Sequence, residues 1–513
     1  MKVFTAAEMR KADDEAIRKM GIPSILLMEN AATAVVSKIL DICPPPAPGE
    51  GVTVAAGKGN NGGDAVAAAR ILRILGFSPE VFVFGDREEL SPDAKAQVEK
   101  YVAYGRTVFD SGGTAFDEAL SRSSLVIDGL LGTGARGAVS GRTAEIIKKI
   151  NAFEGMTVSI DIPSGLSGDS FILPGPCVLA DLTVTLGAPK LPLVSPECEH
   201  AVGRLEVADI GLPEAAMESA CPRGEALDMK WAASFFRERG KSCHKGTQGH
   251  LLIISGSRGK AGAAVLSATG ALRAGAGLVT VAVPEECARI VTSVLPEAMT
   301  LPLPATRGGS ISREAGECLI DFVKEVDAVA VGPGLGIDPE TAGLVRDLYA
   351  RIEKPLALDA DGINAFEVSP DGLSDHLGPR VLTPHPGELG RIIKLAPRSV
   401  LEGRYSIVPD KAREWNSCLL LKGYRSFMAD GRGRWRINLS GGPHMASAGV
   451  GDVLTGIVGA LLARGLEPFD ALALGVFWHG AAADDLFRRS GYGMLASEIA
   501  AALPAGESRG RKL

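Results

Sequence analysis

One local pattern recurs along this chain and constrains its fold more than any other feature: a short apolar run, a Gly-rich loop at its end, then a segment with helical spacing. Residues 52–56 (VTVAA) lead into GKGNNGGD, a helix is expected over 65–75 with Gly76 as its stop, and the next strand is expected at 81–84. Residues 125–128 (LVID) lead into GLLGTG, and 157–161 (TVSID) into IPSG. The pattern restarts at 251–254, followed by a loop at 256–262, a helix at 263–274 and a strand at 278–283. Further runs at 328–331, 356–359, 381–383 and 418–421 each open into Gly- or Pro-rich loops. Strand–loop–helix–strand order implies right-handed parallel βαβ units, with ligands at the carboxyl ends of the strands.

At 513 residues the chain exceeds the size at which one core normally stops growing. Two α/β domains are therefore expected, 1–215 and 229–513, joined by an Ala-, Glu- and Pro-rich linker at 216–228. Thr5 with Glu8 forms a capping-box pattern for a helix over 6–19. A second helix follows Pro23, and the Pro-rich stretch 44–49 reads as a rigid connector. Net charge is −7, with no basic block before the GESRGRKL tail, which argues against nucleic acid as a partner. The eight cysteines show no paired spacing and read as reduced thiols. There is no signal-peptide core and no uncharged apolar run of membrane-spanning length, so a soluble cytoplasmic protein without membrane association is expected. Enzymes of this class often assemble, and a homo-oligomer is expected.

Residues 438–456, NLSGGPHMASAGVGDVLTG, carry the most committed chemistry of the second half. Val453, Leu454, Ile457, Val458, Leu461 and Leu462 form a helical stripe. A helix opening out of a Gly-rich loop aims unpaired N–H groups at that loop, which makes an anion site. Asp452, in the first turn, is either a helix-stabilising carboxylate or a base beside a bound phosphate. His385, fixed between two prolines, is equally a structural group or a ligand contact, and Glu388 either bonds locally or meets a hydrated Mg²⁺. Lys422 at a strand end points to phosphate. GKGNNGGD is neither a Walker loop nor a dinucleotide fingerprint, so spacing alone places only a phosphate-bearing or nucleotide-like ligand across three loops of the first half.

The ordered motifs LMENAA (27–32), GKGNNGGDAVAAAR (57–70), DGLLGTGARG (128–137) and SIDIPSGLSGD (159–169) resemble the NAD(P)H-hydrate epimerase domain, a Rossmann-like three-layer αβα fold. The resemblance implies that Asn60, Asn61, Gly62, Gly63, Asp64, Gly132, Thr133, Gly134, Ala135, Arg136, Gly137, Ala138 and Asp161 contact the hydrated nicotinamide nucleotide. It implies a potassium ion (K⁺) on oxygens of Asn61, Asp128 and Ser164, and Asp161 as the acid/base for loss and return of water at C6. The family's usual glycine after the loop is Ala65 here, which suits a helix start.

In the second half HKGTQGH, GSRGKAGAA, VGPGLG, LDADGINAF, LTPHPGEL, LKGYRSF and MASAGVGDVLTG resemble the ribokinase-like superfamily, and within it the ADP- or ATP-dependent NAD(P)H-hydrate dehydratases, also a three-layer αβα fold. That likeness implies hydrate contacts at Ala263, Gly334, Gly336, His385 and Asp452, and adenine-nucleotide contacts at Lys422, Gly423, Tyr424, Arg425, Ser426 and Gly451. Val450 replaces the usual threonine, removing a hydroxyl while keeping the backbone N–H groups. The implied chemistry is kinase-like: Asp452 takes the proton of the C6 hydroxyl, ADP with Mg²⁺ supplies a phosphoryl group, and phosphate leaves as the ring double bond re-forms. The expected function is bifunctional repair of hydrated NADH and NADPH. The competing readings are a hydroxymethylpyrimidine- or sugar-type kinase fused to a nucleotide-binding module, and a non-enzymatic binding module in the first half.

Overall fold

A computed structural model describes residues 1–42, 51–110, 114–236 and 243–510. The connector expected at 44–49 lies outside the described residues. Two units separate, Met1–Gly224 and Glu225–Leu513. The expected linker at 216–228 carries regular structure instead: the end of a helix, Glu214–Ser219, and a strand, Gly224–Leu227.

The first unit is built on a seven-stranded parallel sheet in the order Val108–Asp110, Pro79–Phe84, Gly51–Gly57, Ser123–Gly129, Met156–Ile160, Leu182–Leu186, Arg204–Ala208. Val52, Val54, Ala55 and Ala56 are all buried, so this central strand is covered on both faces and its sequence is apolar without alternation. The strand order reverses between Gly51–Gly57 and Ser123–Gly129, which opens a crevice at their carboxyl ends.

Two helices differ from expectation. The loop expected at 57–64 is already helical from Asn60, and the helix runs Asn60–Ile74. Gly62 explains the difference: a Cβ there would lie 1.9 Å from the carbonyl oxygen of Gly57, so only glycine lets the first turn rest directly on the strand end. The first helix keeps its capping box, with Glu8 N–H donating to Thr5 Oγ1 (3.1 Å) and Thr5 N–H to Glu8 Oε2 (2.7 Å). It is α-helical only over Ala6–Asp14 and continues as a π-helical turn, Glu15–Lys19.

In the second unit the strands run in the order Trp435–Asn438, Phe427–Ala429, Cys418–Leu421, Arg380–Leu382, Leu356–Leu358, Ala328–Val331, His250–Ile254, Leu278–Pro284, Met299–Leu303. From Cys418–Leu421 to Met299–Leu303 neighbours are parallel; Phe427–Ala429 is antiparallel to both of its neighbours. Helix Val450–Ala463 matches its apolar stripe, with Val453, Ile457, Val458 and Leu461 fully buried, each contributing roughly 1.5–3 kcal/mol. It lies on helix Ala261–Arg273 at backbone distance: a Cβ on Gly456 would sit 1.8 Å from Ser267 O, and one on Gly270 2.4 Å from Val453 O. Small residues thus lock together the two helices whose first turns border the second site. Among the described residues no helix is long and apolar enough to cross a membrane, and the cysteines are free.

Candidate functional sites

The first site is a cavity of about 730 Å³ in the first unit, at the reversal of strand order. Its wall includes Asn60, Asn61, Gly62, Asp64, Gly132, Thr133, Gly134, Ala135 and Asp161, so residues from three sequence motifs do converge. Gly63 turns instead toward Met28 and Ala94, and Arg136, Gly137 and Ala138 are not on the wall. Because Asn60 starts a helix whose cap, Gly59, offers no side chain, the first N–H groups are open to the cavity, an arrangement suited to phosphate.

Asp161 follows the end of its strand with φ +65°, a left-handed conformation that Asp tolerates better than most residues. The turn carries its carboxylate to the neighbouring strand, where Oδ1 accepts from Thr185 Oγ1 (3.2 Å), Leu186 N–H (3.1 Å) and the Lys190 ammonium. Lys190 is itself buried and also donates to Leu186 O at 2.9 Å. Two further carboxyls share the wall. Burial pushes Asp13 up to about 6 against the pull of Lys190, with Asp161 and Asp14 adding to the rise. Burial likewise holds Asp64 well above the carboxylate range, reinforced by Asp161 and Asp13.

Beside the cavity the three oxygen donors implied for potassium lie together. Ser164 Oγ donates to Asp128 Oδ1 (2.5 Å) and accepts from Leu131 N–H (2.8 Å), while Asn61 Nδ2 donates to Leu131 O (2.9 Å). Asp128 also accepts from Ser159 Oγ and Ser164 N–H; burial raises its pKa while these bonds pull the other way. Asn61 Oδ1 is buried without a hydrogen-bond partner. An orphaned amide oxygen among hard oxygen donors fits a large monovalent cation, which would replace the missing bond.

In the second unit Lys422 and Asp359 form the centre. Lys422 Nζ lies 2.6 Å from Asp359 Oδ1 and 3.9 Å from Glu388 Oε2, and Thr455 Oγ1 donates to Asp359 Oδ2 at 2.6 Å. A Cβ on Gly451 would be 3.6 Å from Lys422 Nζ, which places the helix start directly over the lysine. Burial opposes the charge on Lys422, yet Asp359 and Glu388 win and raise its pKa. Asp452 goes the other way: burial, with Asp359 and Asp361 adding repulsion, pushes it up to about 7 against Lys422. A carboxyl that titrates near neutrality in the first turn of a glycine-opened helix is poised for proton transfer rather than for capping alone.

Ala263, Gly334 and Gly336 meet on the adjoining edge. A Cβ on Gly334 would lie 2.9 Å from that of Ala263, and Gly336 N–H donates to Asp361 Oδ2 (2.8 Å), which Lys260 Nζ approaches at 3.4 Å. His385 is an N-cap: Nδ1 accepts from Gly387 N–H (3.0 Å) and Glu388 N–H (3.3 Å), and His385 N–H donates to Glu388 Oε2 (2.8 Å). Burial and the nearby Lys422 and Arg391 lower its pKa, so the ring is neutral at pH 7, with its Nε2 3.2 Å from Glu388 Oε1. Residues 423–426 form the turn after Lys422, where Gly423 N–H donates to Ser426 Oγ at 3.2 Å and Arg425 has φ +50°. Among the described residues no cluster of three His, Cys, Asp or Glu side chains makes a metal cage.

Sequence reasoning overlooked Lys190, Asp13, Asp361, Lys260 and Thr455. Lys190 had a signal, being the one charge in the apolar stretch 186–194. Asp359 carried the same strand-end signature as Asp161; Lys260, Asp361 and Thr455 lay within the GSRGKAGAA, LDADGINAF and MASAGVGDVLTG motifs, and Asp13 alone had no signal.

Similarity to known proteins follows the same division. A family model described as "YjeF-related protein N-terminus" matches residues 24–192, and one described as "NAD(P)H-hydrate dehydratase" matches residues 251–505. The chain is 42% identical over 509 residues to the bifunctional NAD(P)H-hydrate repair enzyme of Moorella thermoacetica, covering 98% of this chain and 96% of that one. The enzyme of the same description from Thermofilum pendens is 36% identical over 488 residues, covering 94% and 92%. A solved ADP/ATP-dependent NAD(P)H-hydrate dehydratase from Bacillus subtilis, co-crystallised with ATP/Mg²⁺, is 27% identical and covers 55% of this chain and 97% of that chain, with a TM-score of 0.47.

Proposed function

The chain belongs to the family of bifunctional NAD(P)H-hydrate repair enzymes, and from that premise we propose how its two sites divide the work. The first unit epimerises (R)- and (S)-NAD(P)H hydrate, and the second dehydrates the S form to NAD(P)H with ADP, releasing AMP and phosphate. The kinase reading raised by the sequence is not favoured, because both family models match this chain and relatives aligned over nearly all of it are named bifunctional NAD(P)H-hydrate repair enzymes.

The observation that carries this assignment is that each unit sets a carboxyl and a lysine, buried in the first and partly buried in the second, beside a glycine-opened helix start at the carboxyl edge of its sheet. In the first site Asn60, Asn61, Gly62, Asp64, Gly132 to Ala135 and Asp161 hold the hydrate, with Asp161 in acid/base contact with the C6 hydroxyl. Asn61, Asp128 and Ser164 hold K⁺, which supplies positive charge behind the loop. In the second, Ala263, Gly334, Gly336 and His385 hold the hydrate, Lys422 to Ser426 and Gly451 the nucleotide. Asp452 takes the hydroxyl proton as its oxygen accepts the phosphoryl group. Lys422 and the open N–H groups of the helix start neutralise the charge that develops on the transferring group. Mg²⁺ bound with ADP would supply charge that shields its phosphates. We place the enzyme in the cytoplasm as a homo-oligomer, with the domain division at 216–228 and no role for nucleic acid or membrane.

Mixed R and S NADH hydrate with ADP and Mg²⁺ tests both assignments by the return of nicotinamide absorbance. Complete recovery is expected. Recovery of the S fraction alone removes the epimerase assignment, and a stable phosphorylated product removes the dehydratase one.

A further inference from the structure

The N-terminal helix lies outside the residues matched by the N-terminal family model, yet Met9, Arg10, Asp13 and Ile17 line the first cavity. The helix is fixed to the segment that carries Lys190. Phe4 N–H donates to Pro189 O (2.9 Å), Phe4 bridges Lys190 in parallel register, and Met9 and Ala12 pack on Ala188. Directly after Asp14 the helix leaves α geometry for the π turn Glu15–Lys19, which presents Ile17 to the same cavity. Such turns inside α-helices cost hydrogen-bond geometry and gather at functional sites.

We propose that Asp13 is the second proton-transferring carboxyl of the epimerase site, with Asp161 as its proton-accepting counterpart and Lys190 as the residue that positions Asp161. The proposal rests on the epimerase assignment and deepens it. Asp161 receives three hydrogen bonds on one oxygen, one of them from the buried Lys190 side chain, the donor set that suits a proton acceptor. Asp13 has no such donors among its described contacts and sits in the same cavity against the same lysine. Two carboxyls whose surroundings differ in this way are an acid and a base. The charges acting on Asp13 are Lys190, Asp161 and Asp14; Arg10, Lys58, Asp64 and Asp93 share the wall, and the helix packed alongside carries Glu214 and Glu218.

The step balances. Asp13 gives its proton to the C6 hydroxyl, the C6–O bond breaks with its electron pair leaving on water, and the ring nitrogen lone pair forms the N1–C6 double bond. Water then adds at C6 from the other face, the N1–C6 π pair returns to nitrogen, and the released proton goes to Asp161. Solvent exchange or the reverse reaction restores the starting protonation.

The test uses the full chain with Asp13→Asn, which is isosteric on a half-buried helix. Interconversion of purified (R)- and (S)-hydrate is followed directly, beside ADP-dependent consumption of the S form. The expected result is a loss of epimerisation of at least ~100-fold, the lower range for general acid catalysis, with S-hydrate dehydration unchanged. Asp117→Asn, on an exposed helix away from the cavity, should change epimerisation less than about threefold. In the wild type the R-to-S rate should fall as pH rises above Asp13's titration, and that limb should vanish in Asp13→Asn. Lys190→Arg should retain the limb and most of the rate, whereas Lys190→Met should keep the limb but lose rate as Asp161 loses the donor that holds it in place. An Asp13→Asn enzyme that epimerises within threefold of the wild type, or that keeps the basic limb, overturns the proposal. A wild-type chain without epimerase activity overturns instead the assignment on which it rests.

Discussion

Gly456→Ala offers a direct test of how packing supports the second site, because two effects of known size oppose each other. In an exposed helix interior the change would stabilise by ~1 kcal/mol, since alanine has the higher helix propensity. Here the added methyl falls 1.8 Å from Ser267 O and 2.9 Å from Ala271 N, backbone atoms of the facing helix. Relief requires the two helices to part by more than an ångström, at about 1–3 kcal/mol for overpacking. Parting also pulls Thr455, the adjacent residue, from Asp359 and breaks a buried 2.6 Å bond to a charged group, for roughly 1.5–3 kcal/mol more. The clash wins by roughly 2–5 kcal/mol net. For a domain of this size that lowers Tm by roughly 3–8 °C in the transition assigned to the second unit. Asp452 sits one turn upstream on the same helix, so dehydration should fall by at least ~100-fold even well below Tm, because sub-ångström placement of the base governs the rate. Calorimetry combined with NADH recovery from S-hydrate checks both, and epimerisation serves as the internal control. An unchanged transition and an unchanged dehydration rate would refute the close-packing argument.

Other outcomes follow from the same sites. Dehydration kcat/KM should rise with pH about a midpoint near 7 as Asp452 ionises, and Asp359→Asn should lower that midpoint by removing the repelling charge. Asp452→Asn should abolish dehydration without unfolding the unit. Because the folded-state pKa of Asp452 is raised, the stability it contributes is full below the unfolded carboxylate range and lost as pH rises through about 7, so the variant should melt no lower than wild type at pH 8. Lys190→Met leaves Asp161 as an uncompensated, largely buried carboxylate and should destabilise the first unit by about 3–5 kcal/mol, read by denaturant unfolding, with the second unit's transition unmoved. Exchange of K⁺ for a tetraalkylammonium ion should slow epimerisation, and Asn61→Ala, which deletes the orphaned amide oxygen, should remove that dependence.

Much of the molecule was legible from local sequence. Apolar runs ending at Asp or Gly marked the strands of both sheets, and the stripe from Val453 to Leu462 located the helix that carries Asp452. Asp161 and Asp452 stood out because turn chemistry and helix-end electrostatics act over a few residues. The helix start at Asn60 was not legible, since Gly-Gly reads as a loop until the strand end beneath Gly62 is known. Nor was His385 as a cap, which needed its backbone geometry.

What tertiary structure decided is the pairing of charges. Lys190 meets Asp161 across 29 residues, Lys422 meets Asp359 across 63, and Thr455 reaches Asp359 across 96. Those distances are set by which strands become neighbours and where the order reverses, and periodicity carries no trace of either. Burial then fixes the protonation of Asp13 and Asp452, since a carboxyl's charge depends on the water it loses and the charges it gains, both properties of the assembled sheet edge. Sequence named the loops; the fold set which groups in them give and take protons.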